Sequence, residues 1–208
     1  RHQIQGHDVA KKKKPRKIVE YVFPKLSIDA DKVVLAADPG SKNFGIALVG
    51  LKNGKIKVYA NSVMMRPLDS LVIFNGASDL FMAEFASWMK YEPHGIVAER
   101  FQTRGNSGPL IELVSAMLGL IRGRYKKIPI KLTIASTWKN RVQRRFGIDL
   151  KEVYPTTVVQ PHQLDAALIG VYGLEIGLGE EIDYDIADII KQVESTSLIG
   201  LKKSKGTK

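Results

Sequence analysis

Four side chains able to bind a hard cation stand where the sequence changes character. Asp38 closes the apolar run VVLAA (33–37) and precedes Pro39-Gly40, while Glu99 closes GIVA (95–98). His162 and Asp165 lie three apart in PHQLDAALIG (161–170), a segment otherwise almost wholly apolar. Each has an ordinary use when taken alone. Asp before Pro-Gly satisfies its own turn, an acid in a first helical turn suits the helix dipole, and a lone His is a capping or core residue. Together they read differently. Adjacent parallel strands that finish together bring Asp38 and Glu99 to one sheet edge, the place where α/β proteins build sites. Spacing of three places His162 and Asp165 on one helix face. Three carboxylates and an imidazole are the donors expected around Mg²⁺ or Mn²⁺, and the carboxylates repel one another until cations neutralise them.

The elements that must carry these residues follow from periodicity. Residues 33–37 read as a buried strand, 39–43 as a hairpin-type turn, and 45–49 and 55–65 as two further strands of a meander. A helix is expected at 78–91, capped by Ser78, with Phe81, Phe85, Trp88 and Met89 on one face and Pro93 beyond its end. Residues 95–99 read as a short buried strand. The longest helix, 107–125, has an apolar stripe of Leu110, Leu113, Val114, Met117, Leu118 and Ile121. Another strand is expected at 128–136, and a helix entered through Pro161 at 162–174. The fold class is therefore α/β: a mixed central sheet of a three-strand meander, then alternating strands and helices. Three segments are expected: a flexible basic arm over 1–30, the main domain over 31–178, and an acidic helix with a basic tail over 179–208.

Composition bounds the function. Cysteine is absent, which excludes disulfides, thiolate metal sites and a Cys nucleophile. No apolar run reaches the roughly 20 residues needed to cross a bilayer, and no signal-peptide pattern is visible. The opening Arg1 reads as the interior of a longer chain. Formal net charge is +11, and it is unevenly spread. Residues 11–17 are KKKKPRK, and residues 122–151 hold ten Lys or Arg against the single acid Asp149, whereas 175–188 carries six acids and no base. Two basic clusters favour a polyanionic partner, nucleic acid being the commonest. The KKKKPRK run fits a DNA-binding arm or a nuclear-localisation signal, so the expected setting is intracellular and DNA-associated, with the compartment open.

The motifs DPGSKNFGIA (38–47), VAERF (97–101) and HQLDAALIG (162–170), in this order, resemble the RuvC-like Holliday-junction resolvases of the RNase H-like (retroviral integrase) fold. The resemblance covers about 33–174. It implies that Asp38, Glu99, His162 and Asp165 are catalytic metal ligands for two Mg²⁺, with Mn²⁺ able to substitute, and that Lys139 in STWKNRVQRR is the active-site lysine. It also implies paired symmetric nicking of four-way junction DNA by a homodimer, with 5′-phosphate and 3′-hydroxyl products, and a dimer contact through the helix from Ser107. Where the family commonly places an aromatic residue three positions after the glutamate, this chain has Gln102, with Phe101 one position early. Residues expected against DNA are Lys42, Asn43, Phe101, Arg104, Lys139, Arg141, Arg144 and Arg145. The competing readings are another RNase H-like nuclease acting on flaps, branches or RNA, and a junction-binding protein without cleavage. A two-lobed sugar-kinase or actin-type ATPase needs more chain than 208 residues.

Overall fold

The computed structural model describes residues 28–40, 43–64, 82, 85, 88–102, 108–154 and 160–202. Five strands form one mixed sheet: β1 (Lys32–Pro39), β2 (Asn43–Lys52), β3 (Lys55–Met64), β4 (Gly95–Glu99) and β5 (Ile130–Thr133), in the order β3-β2-β1-β4-β5. The first three are the expected antiparallel meander; β4 runs parallel to β1, and β5 parallel to β4. Asn53 and Gly54, both at positive φ, close the β2–β3 hairpin as the two-residue Asn-Gly turn that matches strand twist. The sheet and its flanking helices form the α/β, RNase H-like arrangement expected from the sequence.

Strand alternation sorts the two faces. Val33, Leu35 and Ala37 of β1 join Ile46 and Leu48 of β2 and Ile96 and Ala98 of β4 on one side. There they pack on α1 (Gly108–Arg124) through Leu113, Met117 and Ile121. Leu118, expected in the same stripe, is only half-buried, and Leu110 lies outside the residues whose side chains are described. Val34, Ala36, Ala47, Val49 and Val97 face the opposite side, against α4 (Pro161–Tyr172). That helix is buried from Gln163 to Tyr172, which explains its nearly continuous apolar sequence. It lies very close to the sheet: a Cβ on Gly45 would fall 2.0 Å from the His162 carbonyl oxygen, and one on Gly170 would fall 2.4 Å from Val49 Cγ2. The buried Gln163 amide donates to the Ala60 carbonyl at 2.6 Å and pins the helix across β3.

A π-helical turn, Gly173–Gly177, continues α4, and α5 (Ile186–Lys202) returns along β3, burying Ile189 and Val193 in the same core as α4. Gln192 of α5 accepts from the Val58 N–H at 2.8 Å and donates to the Ile56 carbonyl at 3.4 Å. Most of the acids of the run at 175–188 precede α5 in a stretch without regular secondary structure.

Two strands differ from expectation: β2 spans Asn43–Lys52 where 45–49 was read, and β5 is shorter than its expected range. The strand read at 128–136 ends at Thr133, and α2 (Ala135–Phe146) begins two residues on. Trp138 and Val142 supply the buried i, i+4 pair on which that helix sits, and Gly147, at φ 62°, ends it with its N–H on the Gln143 carbonyl. A short helix, α3 (Leu150–Val153), follows, capped by Asp149, whose side chain accepts from the Lys151 N–H. Of the helix expected at 78–91, the described part is helical Met82 and Phe85 and a 3₁₀ turn at Trp88–Lys90; the remainder, with the Ser78 cap, lies outside the described residues. So do most of the basic arm and the end of the tail. Among the described residues no helix is long and apolar enough to cross a membrane.

Candidate active site

Register alone brings the first two acids together. Ala37 pairs with Ala98, so Asp38 and Glu99 stand side by side where β1 and β4 end. Asp38 continues the alternation of Val34 and Ala36, and Glu99 that of Val97, so both belong to the face covered by α4. The first turn of α4 then delivers His162 and Asp165. His162 Nδ1 lies 2.6 Å from Asp38 Oδ2, the imidazole sharing a proton with a buried carboxylate. Gly40 makes room for the ring: a Cβ there would approach His162 Cε1 to 2.7 Å. The Pro39-Gly40 turn thus has a packing reason beyond turning the chain.

Helices α2 and α3 add donors. Lys139 Nζ pairs with Asp165 Oδ2 at 2.9 Å, and the Tyr154 hydroxyl donates to the other oxygen, Oδ1. The Trp138 indole N–H donates to Glu99 Oε2 at 2.7 Å. The Lys139 ammonium also lies 4.9 Å from the Trp138 ring centroid and 5.7 Å from that of Tyr154, within cation–π range. Neither Trp138 nor Tyr154 stands out in the sequence as a site residue. The spacing of Trp138 from Val142 marks it only as a core residue of its helix; Tyr154 carries no signal, because its partner lies across an intervening segment.

Charge accumulates here. Burial first, and the Asp38 charge second, raise the pKa of Glu99 above the ordinary carboxylate range; Trp138 and Lys139 oppose the shift. Asp165 is raised for the same two reasons, against Lys139 and Tyr154. His162 is raised chiefly by its hydrogen bond to Asp38. Burial, then the nearby Asp165 charge, drives the Tyr154 phenol far upward, so it remains a proton donor.

Asp38, Glu99, Lys139, His162 and Asp165 line a cleft of about 450 Å³ together with Asn43 and Phe101. As placed, no three His or acidic side chains among the described residues stand close enough to hold a metal ion. The donor set nevertheless suits a hard cation: three carboxylates and an imidazole share the cleft, and two of the carboxylates have their charge disfavoured until a cation compensates it.

The remaining sequence candidates separate. Arg141, Arg144 and Arg145 line a second groove, about 570 Å³, with Ser136, Thr137 and Asn140 of α2. Arg145 does more than face that groove. It pairs with the buried Glu175, donates to the Ile182 carbonyl and stacks 4.5 Å from the Tyr184 ring centroid. Arg141 approaches Glu175 at 3.7 Å with its own side chain half-exposed. Arg144 is exposed. Lys42 and Arg104 lie outside the described residues.

No family model matches the chain, and no curated protein sequence matches it. Solved structures do. RuvC of Thermus thermophilus, in complex with a Holliday junction substrate, matches 71% of this chain and 96% of its own length, with a TM-score of 0.52 and 17% identity. The fold is that of RuvC. A second Thermus thermophilus RuvC structure agrees, with a TM-score of 0.51, 15% identity, 70% of this chain and 96% of its own. The yeast mitochondrial Holliday junction resolvase Ydc2 is a weaker match, with a TM-score of 0.39 and 16% identity over 84% of this chain and 78% of its own. The RuvC likeness fixes the architecture; what the site does is argued from its residues.

Proposed function

We propose that the chain is a metal-dependent, structure-specific DNA endonuclease that resolves four-way junctions by paired symmetric nicks. The observation that carries this reading is the convergence of Asp38, Glu99, His162, Asp165 and Lys139 in one cleft of a RuvC fold. Asp38, Glu99 and Asp165 are the residues that would hold two Mg²⁺, or Mn²⁺ in their place. When bound, the cations neutralise the scissile phosphate, lower the pKa of an attacking water and stabilise the leaving oxygen.

The chain's own groups do the rest. Lys139, already placed against Asp165, brings a positive charge to a non-bridging phosphate oxygen. His162, whose proton affinity Asp38 raises, accepts the proton of the attacking water. Attack on phosphorus with departure of the 3′ oxygen leaves 5′-phosphate and 3′-hydroxyl ends, which a ligase can seal. Arg141 and Arg144 of the neighbouring groove, with Ser136, Thr137 and Asn140, take the backbone of the DNA beyond the cut. Paired cuts require two sites in fixed register, hence a twofold dimer, and the half-buried Ile111, Ala116 and Leu120 of α1 offer it an apolar face.

The deciding experiment compares a four-way junction, a flap, a duplex and an RNA–DNA hybrid as substrates, with and without Mg²⁺. Mg²⁺-dependent symmetric nicking confined to the junction is expected. Preference for the flap or hybrid would reassign the chain to another RNase H-like nuclease activity. Tight junction binding with no cleavage under any divalent cation would leave only a binding role.

A further inference from the structure

Trp138 is fully buried among apolar residues of the α4-side core. A buried indole needs a partner for its N–H. Helix α2 offers none within itself, and a carbonyl at a sheet end would serve any structural need. The acceptor is instead Oε2 of Glu99 at 2.7 Å, a carboxylate of the cleft. Among the described residues, the other oxygen, Oε1, takes no hydrogen bond. Glu99 has three rotatable side-chain bonds that a backbone carbonyl lacks, and burial disfavours its charge. A fixed donor on one oxygen removes that freedom and orients the other.

We infer that Trp138 is a positioning residue for the proposed reaction: its indole N–H holds Oε2 of Glu99 and leaves Oε1 as the single oxygen presented to a divalent cation. The inference rests on the endonuclease reading for its purpose, but not for its test. The ring is anchored by the core while only its N–H reaches the cleft, so the orientation of Glu99 is set by α2 and not by solvent. The same side chain lies under the Lys139 ammonium at 4.9 Å, so one rigid group places both a ligand and the lysine next to it in sequence. Groups that orient metal ligands in this way typically matter by about 10- to 100-fold in metal affinity or activity.

The chain contains two tryptophans, Trp88 and Trp138. The indole region of a proton–nitrogen correlation spectrum therefore holds two cross-peaks, which Trp88→Phe assigns. Titrating Mg²⁺ into the wild-type chain without DNA should move the Trp138 peak and leave that of Trp88 in place. Glu99→Gln should abolish the movement. By calorimetry, Trp138→Phe should weaken Mg²⁺ binding about tenfold or more, and raised Mg²⁺ should restore its cleavage. A folded Trp138→Phe protein with unchanged Mg²⁺ affinity overturns the inference while leaving the nuclease reading intact. Should that variant not fold, the wild-type spectrum decides: Mg²⁺ binding with the Trp138 peak unmoved overturns it equally. Mg²⁺ binding with the expected spectral change but no junction cleavage supports the role of Trp138 and removes the proposed activity. A wild type that binds no Mg²⁺ overturns both.

Discussion

Asp38 is the charge to which its neighbours respond, raising Glu99 and Asp165 and holding His162. Asp38→Asn should abolish junction cleavage while DNA affinity is kept or tightened, because one negative charge fewer opposes the phosphate; cleavage near the wild-type rate would remove Asp38 from the site. Glu99 allows a test by stability. Its folded pKa is raised, so its contribution to stability is fully present below the unfolded value, about 4.3, and is lost as pH climbs through the folded value. Glu99→Gln keeps an acceptor for Trp138 and stays neutral at every pH. In chelator near neutrality the variant should therefore melt higher than wild type. The gap should close as pH falls towards about 4.3, where the glutamate of the unfolded chain also protonates. A gap that does not change with pH would mean that Glu99 carries no such burden. The four polar residues were legible in the sequence because each interrupts an apolar pattern. Trp138 and Tyr154 were not, since a buried aromatic satisfies the pattern and its single polar atom leaves no trace in it.

Elements carry these residues to one place, and α4 has the least tolerance. Its first turn presses on Gly45, so Gly45→Ala places a methyl group 2.0 Å from a backbone carbonyl. The helix must lift, costing about 1–3 kcal/mol or more, and His162 and Asp165 move with it. Loss of cleavage together with a lower denaturation midpoint is expected; an active, equally stable variant would mean that the helix sits farther out. Helix α2 divides its arginines by role. Arg145→Gln leaves the buried Glu175 with only the half-exposed Arg141 at 3.7 Å, a loss on the order of 1–3 kcal/mol, whereas Arg144→Gln should alter stability by no more than about 0.5 kcal/mol and lower the salt dependence of DNA binding by about one phosphate contact. Chemical denaturation and salt-titrated binding of both variants check the division. The strands β1, β2 and β4 were legible because burial on both faces makes them nearly continuous apolar runs, although β2 extends over Asn43–Lys52 where 45–49 was expected. The start of α2 was not, because IAS after IPIKLT extends a β-like pattern, and only the tertiary pairing of Trp138 ends the strand at Thr133.

For the whole molecule, the proposed activity calls on two properties, a net charge of +11 suited to a polyanion and a twofold assembly. On α1, Leu113, Met117 and Ile121 face the sheet, while Ile111, Ala116 and Leu120 remain half-buried and Gly119 and Gly123 meet nothing within 4 Å. Leu120→Glu should give a folded monomer that binds junctions poorly and loses paired nicking. Light scattering of the wild type checks the premise, and a monomer at micromolar concentration with junction bound would end it. The basic totals were legible in composition, but their allotment was not: Arg145 counts towards +11 yet is spent on Glu175. The far rim of the sheet has a different bearing on assembly. A side-chain amide offers the same donor and acceptor as a peptide group, and Gln192 applies both to the outer backbone of β3 at Val58 and Ile56. An open strand edge is a template for another chain; at these two residues the template is already occupied. A second chain that approached this flank to extend the sheet would find its first two partners already taken by Gln192.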